Sequence, residues 1–274
     1  MIISHKLQVI FIQPYKISGT SFKEALKSYC DKGDVVAKRR VHKPEFVTHY
    51  NSYDFVDDHI SASQIKHRIP KNIWDNYLKV SFVRDIYDTI ISLYLYHHNH
   101  PVCKNRLYEK NFNKYFVKVG SRHIEENFSN LCIDRRCVID FIIEYENRDE
   151  DIKTLEKKIG CCGLLKTYKS KKSNRRCRPL GQDVFKVYSQ YPVTRALIDM
   201  YCSRIMNDNE LIQKYYPLYK ERLSQKIPEP GYLSRVKARL LFALHGYWSR
   251  RKPEWEKRTN SCRMPSLQHE VKLV

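Results

Sequence analysis

The chain has 274 residues, 42% of them hydrophobic and 12% aromatic, and its 50 Lys and Arg exceed its 30 Asp and Glu to give a formal charge of +20. Such a composition excludes disorder over the whole length and suffices for one large domain with an appendage or for two small ones. No run of about 18 apolar residues occurs, and the apolar stretch from Met1 to Ile12 is broken by Ser4, His5, Lys6 and Gln8; the expectation is a cytoplasmic chain with no membrane span and no secretion signal.

Leu7 to Gln13 is a nearly continuous apolar run rich in Val, Ile and Phe and ended by Pro14, the pattern of a strand buried on both faces. A tight loop follows. Thr20 or Ser21 then caps a helix in which Phe22, Ala25, Leu26 and Tyr29 recur at helical spacing until Gly33. The same order returns at Leu78 to Val83, followed by Arg84-Asp85 and a segment with Ile86, Ile90, Leu93 and Tyr94 on one face, punctuated by Pro101. A third unit is predicted from Cys137 to Tyr145, with Ile152, Leu155 and Ile159 on a helix that opens on acids and stops at Gly160. Alternating strands and helices imply an α/β fold with a central parallel sheet flanked by helices.

The rest of the chain is less regular. Asn99 to Arg136 reads as helix and loop, and Cys161 to Leu180 as a loop with seven bases and no acid. Helices are predicted over Val193 to Met206 and Ser234 to Trp248, and a frayed tail after Pro253. Pro228 and Pro230 divide the chain into residues 1–226, which carry the alternating units, and residues 227–274, a basic helix and tail. The basic helix, with Arg235, Lys237, Arg239 and Trp248, either lies on an anionic membrane surface or packs on the core, and packing is the favoured reading.

Chemistry is expected in two loops. The first, Gln13 to Ser21, joins a buried strand to a helix N-terminus, where unpaired backbone N–H groups favour an anion. Gly19 allows close approach, and Lys16, Ser18, Thr20 and Ser21 add donors. A Walker A loop places its Lys after the glycine, whereas Lys16 precedes Gly19 by three residues, which argues against a nucleoside-triphosphate hydrolase. The second loop puts Arg84 at the carboxyl end of another buried strand, facing the ligand crevice of an open α/β sheet. Two such loops suit a ligand with two separated phosphate-like groups.

These residues resemble a known family. Phe11 to Ser21 is similar to the 5′-phosphosulfate loop, PKTGGTS, of sulfotransferases that use 3′-phosphoadenosine 5′-phosphosulfate (PAPS). Phe82 to Tyr94 is similar to their 3′-phosphate motif, FVRNPYDRxxSxY. Asp58 to Ala62 with Trp74 and Lys79, and Asp140-Phe141 to Glu146-Asn147, look like stretches of the carbohydrate-directed members. Tyr15, Ile17 and Ser18 depart from the first motif, Ile86 and Thr89 from the second, and Glu144 stands where the family often has Arg; Lys16, Gly19, Thr20, Ser21, Arg84 and Ser92 are retained.

The resemblance implies a P-loop-like nucleotide-binding fold over residues 1–226 and transfer of a sulfuryl group from PAPS to a hydroxyl or amine of an acceptor, best guessed as a carbohydrate. It implies Lys16 as the catalytic cation, with Ser18, Gly19, Thr20, Ser21, Arg84 and Ser92 holding the donor, and it requires no metal. His59 fits a general base by residue type, since the ordinary histidine pKa is about 6.5; His49, His97 and His98 are rivals, and Glu146 is another candidate if burial raises it. Asp85 and Asp88 are expected to cap or orient the following helix.

Three other readings compete. A degenerate relative would keep the fold without turnover; a nucleic-acid binder would use the net charge and 20 Tyr for stacking; a phosphotransferase is disfavoured by the Lys order and by the absence of an evident acidic magnesium site. The nine cysteines follow no zinc spacing and are expected as mostly free thiols, with Cys132 and Cys137, or Cys161 and Cys162, as candidates for a disulfide in an oxidising compartment.

Overall fold

The computed structural model describes residues 1–37, 59–99, 110–170 and 184–249. Five strands form one sheet: β1 (Ile2–Ser4), β2 (Val9–Phe11), β3 (Val35–Val36), β4 (Leu78–Val83) and β7 (Phe141–Glu144), in the order β3-β1-β2-β4-β7. Two further strands, β5 (Cys132–Ile133) and β6 (Arg136–Cys137), form a separate hairpin.

The sheet is mixed rather than wholly parallel. β2, β4 and β7 run parallel, with Val9 opposite Leu78 and Val80 opposite Phe141, and these are the three strands that the sequence pattern signals. β1 pairs antiparallel with β2, and β3 antiparallel with β1. These two antiparallel strands are three and two residues long, with β3 at the sheet edge. The third predicted strand, Cys137 to Tyr145, is also divided: Cys137 belongs to the hairpin, and the sheet strand starts only at Phe141.

Alternation along β2 explains why its sequence is apolar throughout. Val9 and Phe11 join one core cluster with Ile2, Val80, Phe82 and Ile143, whereas Ile10 joins the opposite cluster with Ile3 and Val83. A period of two with both faces covered is the condition for a continuous hydrophobic run. On the first face lie α1 (Gly19–Lys27), α7 (Arg148–Ile159) and α8 (Leu164–Ser170), contributing Phe22, Leu26, Ile152, Leu155, Leu164 and Tyr168. The second face carries α2 (Ala62–Lys66), α3 (Lys71–Asn76), α4 (Ile86–Asn99), α5 (Phe112–Tyr115) and α6 (Ser121–Ser129), the last two joined by a π-helical turn at Phe116–Gly120. Helices α9 (Val184–Gln190), α10 (Pro192–Ile205), α11 (Glu210–Ser224) and α12 (Tyr232–Ser249) complete that layer.

Helix α8 occupies the first part of the segment predicted as a basic loop; Leu164 and Tyr168 bury one of its sides, leaving Lys166 and Lys169 on the other. Residues 171–183, which hold the remaining bases of that segment, lie outside the described residues, as do His49, Asp58 and the tail after Pro253. Helix α11 contains Pro217, a residue that reads as a breaker because it lacks an N–H. Its buried side of Leu211, Ile212, Tyr215, Tyr216, Tyr219 and Leu223 nevertheless holds it against the core. The described cysteines, Cys132, Cys137, Cys161 and Cys162 among them, are free thiols. No described helix is long and apolar enough to cross a membrane.

Arg195 organises the C-terminal layer. Its side chain is 1% exposed on α10, and Nη1 donates to the carbonyls of Ile227 and Pro228 at 3.2 and 2.5 Å. Nη2 donates to Ser224 Oγ and Glu229 Oε1 at 2.8 and 3.0 Å. These bonds fasten the α11–α12 connection to α10. Removing a buried charge partner strands the groups that faced it, at a cost of several kcal/mol. Arg195→Leu is therefore expected to lower unfolding free energy by about 3 kcal/mol in urea titrations; a loss under about 1 kcal/mol would show that water replaces these bonds.

Candidate functional site

The helices after β2 and β4 leave on opposite faces of the sheet. Phe22, Ala25 and Leu26 of α1 lie in one core cluster, and Ile86, Tyr87 and Ile90 of α4 lie in the other. The crevice at the carboxyl ends of these neighbouring parallel strands is thus a topological switch point, the usual ligand position in an open α/β sheet. A small, mostly apolar cleft lies there, lined by Pro14 and Ile17 of the first loop, Val83, Arg84 and Thr89 of the second, and Ile124, Asn127 and Phe128 of α6.

The first loop is held in a strained form. Lys16 and Ser18 have φ of +59° and +69°, the left-handed region that non-glycine residues avoid at a cost of about 1–2 kcal/mol each. The resembled motif has glycine at position 18, so Ser18 adopts the conformation that a glycine would take freely. Tertiary bonds hold it there. Ser18 Oγ and the hydroxyl of Tyr168, a buried residue of α8, are 2.9 Å apart. Asn127 receives the Tyr15 N–H on Oδ1 at 2.7 Å and returns Nδ2 to the Tyr15 carbonyl at 2.9 Å. Gly19 opens α1, and a Cβ there would stand 2.4 Å from Gln13 Cγ. Ser21 is buried and Thr20 exposed in the first helical turn, whose backbone N–H groups have no intrahelical acceptors.

Arg84 joins the two loops. It is 7% exposed, with Nη1 donating to the Lys16 carbonyl at 2.6 Å and Nε to Asp88 Oδ2 at 2.7 Å, and Nη2 pairs with the same carboxylate at 2.5 Å. Its guanidinium also lies 4.3 Å from the centre of the Tyr145 ring. The Lys16 ammonium sits 4.1 Å from the centre of the Tyr96 ring on α4. Asp88, Ser92 and Tyr96 follow one another at four-residue steps along that helix, so they share a ridge. Because Asp88 meets Arg84 and Tyr96 meets Lys16, the half-buried Ser92 lies on the ridge between these contacts.

His59 belongs to the same neighbourhood. Its ring stacks on Tyr15 at 3.8 Å between centroids, and Nδ1 is 2.9 Å from the Gln13 carbonyl. A carbonyl only accepts, so Nδ1 carries the proton and the neutral ring keeps its basic nitrogen at Nε2. Tyr15 also meets His123 of α6 edge-on at 5.0 Å, and His97 lies 6.0 Å from His123. His97 is bonded to the Tyr115 hydroxyl and His98 to the Tyr94 carbonyl. Among the described residues, no group of three or more His, Cys, Asp or Glu is placed to hold a metal.

The acids divide by position. Asp85 caps α4, its Oδ1 accepting from Tyr87 N at 2.8 Å and Asp88 N at 3.3 Å, which is the capping role expected from the sequence. Glu146 is exposed and accepts the Asp85 N–H at 3.1 Å; the burial that would fit it as a base is absent. Asp140, in the stretch likened to the carbohydrate-directed members, pairs with Lys79 at 2.9 Å and ties β4 to the chain before β7. Asn127, Tyr96, Tyr168 and His123 were not signalled by the sequence. They lie on other helices and touch the loops only once the chain is folded.

The fold is that of a mixed α/β chain, a five-stranded mixed sheet flanked by helices, with a cleft at its switch point. Over 105 residues the chain is 34% identical to an uncharacterized protein of Archaeoglobus fulgidus, a match spanning 36% of this chain and 81% of the archaeal one. The chain therefore belongs to the same family as that protein. No family model and no solved structure matches the sequence.

The capping carboxyl of Asp85 has a displaced pKa. Burial, followed by the negative charge of Glu146, raises Asp85 from its ordinary 3.8 to about 7. The native state then holds this proton more tightly than the unfolded chain does, so the stabilisation is complete below pH about 4 and is lost as pH rises towards 7. Asp85→Asn keeps a capping oxygen and abolishes the ionisation. The variant is expected to exceed the wild type by about 2 kcal/mol at pH 8 and by clearly less at pH 5 in urea titrations. An equal difference at both values would show that Asp85 is already ionised at pH 5.

Proposed function

We propose that the chain is a sulfotransferase that takes a sulfuryl group from PAPS and delivers it to an acceptor hydroxyl, a carbohydrate being the best-supported class from the sequence resemblance. The observation that carries the reading is the Arg84 bridge to the Lys16 carbonyl, 2.6 Å long. It makes the two anion-ready loops one site, as a donor with separated 5′ and 3′ groups requires.

The residues suit such a donor. Lys16 and the first turn of α1 offer a cation and backbone N–H groups on one side of the crevice, and Arg84 and Ser92 offer a guanidinium and a hydroxyl on the other. Gln13 Oε1 is buried with no hydrogen-bond partner among the described residues, as befits a polar atom whose partner is a ligand or water. When bound, the donor supplies an activated sulfuryl group; the S–O bond to phosphate breaks as the acceptor oxygen bonds to sulfur, leaving adenosine 3′,5′-bisphosphate.

Each residue has a distinct task. Lys16 stabilises the negative charge that develops on the departing phosphate oxygen, and the Tyr96 face positions its ammonium without neutralising it. His59 takes the acceptor's proton on Nε2 while Nδ1 stays bonded to Gln13, an arrangement that favours one tautomer. Asn127 and Tyr168 position the loop.

A non-catalytic relative that still binds nucleotide is favoured by one observation: Ser18 holds a left-handed φ of +69° where the resembled motif has glycine, beside the Lys16 on which turnover depends. Binding and turnover separate the two readings. Adenosine 3′,5′-bisphosphate is expected to raise the melting temperature, and labelled sulfate should pass from PAPS to members of a glycan, glycolipid and phenol panel. Lys16→Ala is expected to cut turnover about 100-fold while changing nucleotide affinity much less. A thermal shift without transfer to any acceptor would favour the non-catalytic reading, and no shift at saturating nucleotide would overturn both.

A further inference from the structure

Helix α12 has two unlike sides. Ala238 is fully buried, Leu241 and Phe242 pack on the core, and Phe242 meets Tyr201 and Arg204 of α10 at 6.4 and 5.7 Å. Packing on the core is thus half of what this helix does. Leu233, Leu240 and Leu244 fall on one stripe by their spacing of seven and four, and they are 72%, 61% and 67% exposed, with Tyr232 73% exposed beside them. Lys237 borders the stripe on one side, Arg239 lies about a quarter-turn beyond it on the other, and the exposed Arg235 stands further round, towards the packed side. None of these three cations forms a salt bridge among the described residues. From Gly231 to Pro253 the sequence has no acid and six Lys or Arg, including Arg250, Arg251 and Lys252.

We propose that the outer side of α12 docks on an anionic lipid surface, its leucines entering the boundary between headgroups and acyl chains while the flanking cations meet lipid phosphates and carboxylates. An aliphatic stripe bordered by basic residues matches that boundary, because long cationic side chains reach up to the headgroups while the apolar side is buried. Charge complementarity selects this occupant. A second copy related by twofold symmetry would set the same cations against each other, and a nucleic acid would leave the leucines without an apolar partner. The inference is independent of the donor site.

The test is co-sedimentation of the full chain with vesicles of phosphatidylcholine alone or with about 30% phosphatidylserine. Binding is expected on the mixed vesicles and at least tenfold weaker on phosphatidylcholine alone. Because Leu240 and Leu244 are exposed, the double variant Leu240→Glu, Leu244→Glu should melt like the wild type and bind the mixed vesicles at least tenfold more weakly. Arg235→Gln, Lys237→Gln, Arg239→Gln should abolish the preference for phosphatidylserine. Absence of vesicle binding, or equal binding by the leucine variant, would overturn the proposal. So would sedimentation of the free protein as a dimer that the leucine variant dissociates, which would assign the stripe to self-association.

Discussion

A guanidinium withdrawn from water at the end of β4 constrains everything around it. Arg84 needs its charge answered inside the protein, and Asp88 one turn into α4 answers it from 2.5 Å. That geometry exists only if α4 begins at once after the strand, which the Asp85 cap enforces. The Nη1 bond to the Lys16 carbonyl then fixes the first loop against the second. Left-handed backbone at Lys16 and Ser18 is tolerable because Arg84, Asn127 and Tyr168 hold the loop from three directions. Without the buried guanidinium, a strained seven-residue connection would have little reason to keep one shape.

What could be read from the sequence follows from the range of the interactions. β2, β4 and the helices after them were legible because a doubly covered strand is apolar throughout and a capped amphipathic helix repeats every three or four residues. Lys16, Gly19, Arg84 and Ser92 were legible because they lie beside those elements. The antiparallel strands β1 and β3 were not: polar residues from Ser4 to Lys6 break the apolar run that holds β1, and the two residues of β3 find their partner far back in the chain. Asn127 lies 112 residues from the Tyr15 backbone that it clamps, and no local pattern could announce that. Pro217 of α11 is the opposite case: a local breaker is present, and burial of one helical side outweighs it.

The net charge of +20 is a poor guide to the crevice. Beside Lys16 and Arg84 stand Asp85, Asp88 and Glu146, so the local balance is close to neutral or negative according to the protonation of Asp85. On the proposed reading, recognition there would depend on a few donors at fixed positions rather than on a broad field. The excess of bases over acids in the sequence lies elsewhere, in residues 161–180 and from α12 onward. The total charge that suggests nucleic acid is thus not the charge of the crevice.

The crevice is unevenly built, and this bears on how activity and fold are related in the chain. Its Arg84 side is buried, paired and continuous with the core, so damage there reaches β4 and α4. Its Lys16 side is half-exposed, with the ammonium resting on Tyr96 and the backbone strained. Changes to the Lys16 side chain need not disturb the carbonyl that Arg84 uses. On the proposed reading, the same fold would serve a donor-binding protein with or without turnover, the difference lying in the side-chain positions of Lys16 and His59 rather than in the architecture that presents them.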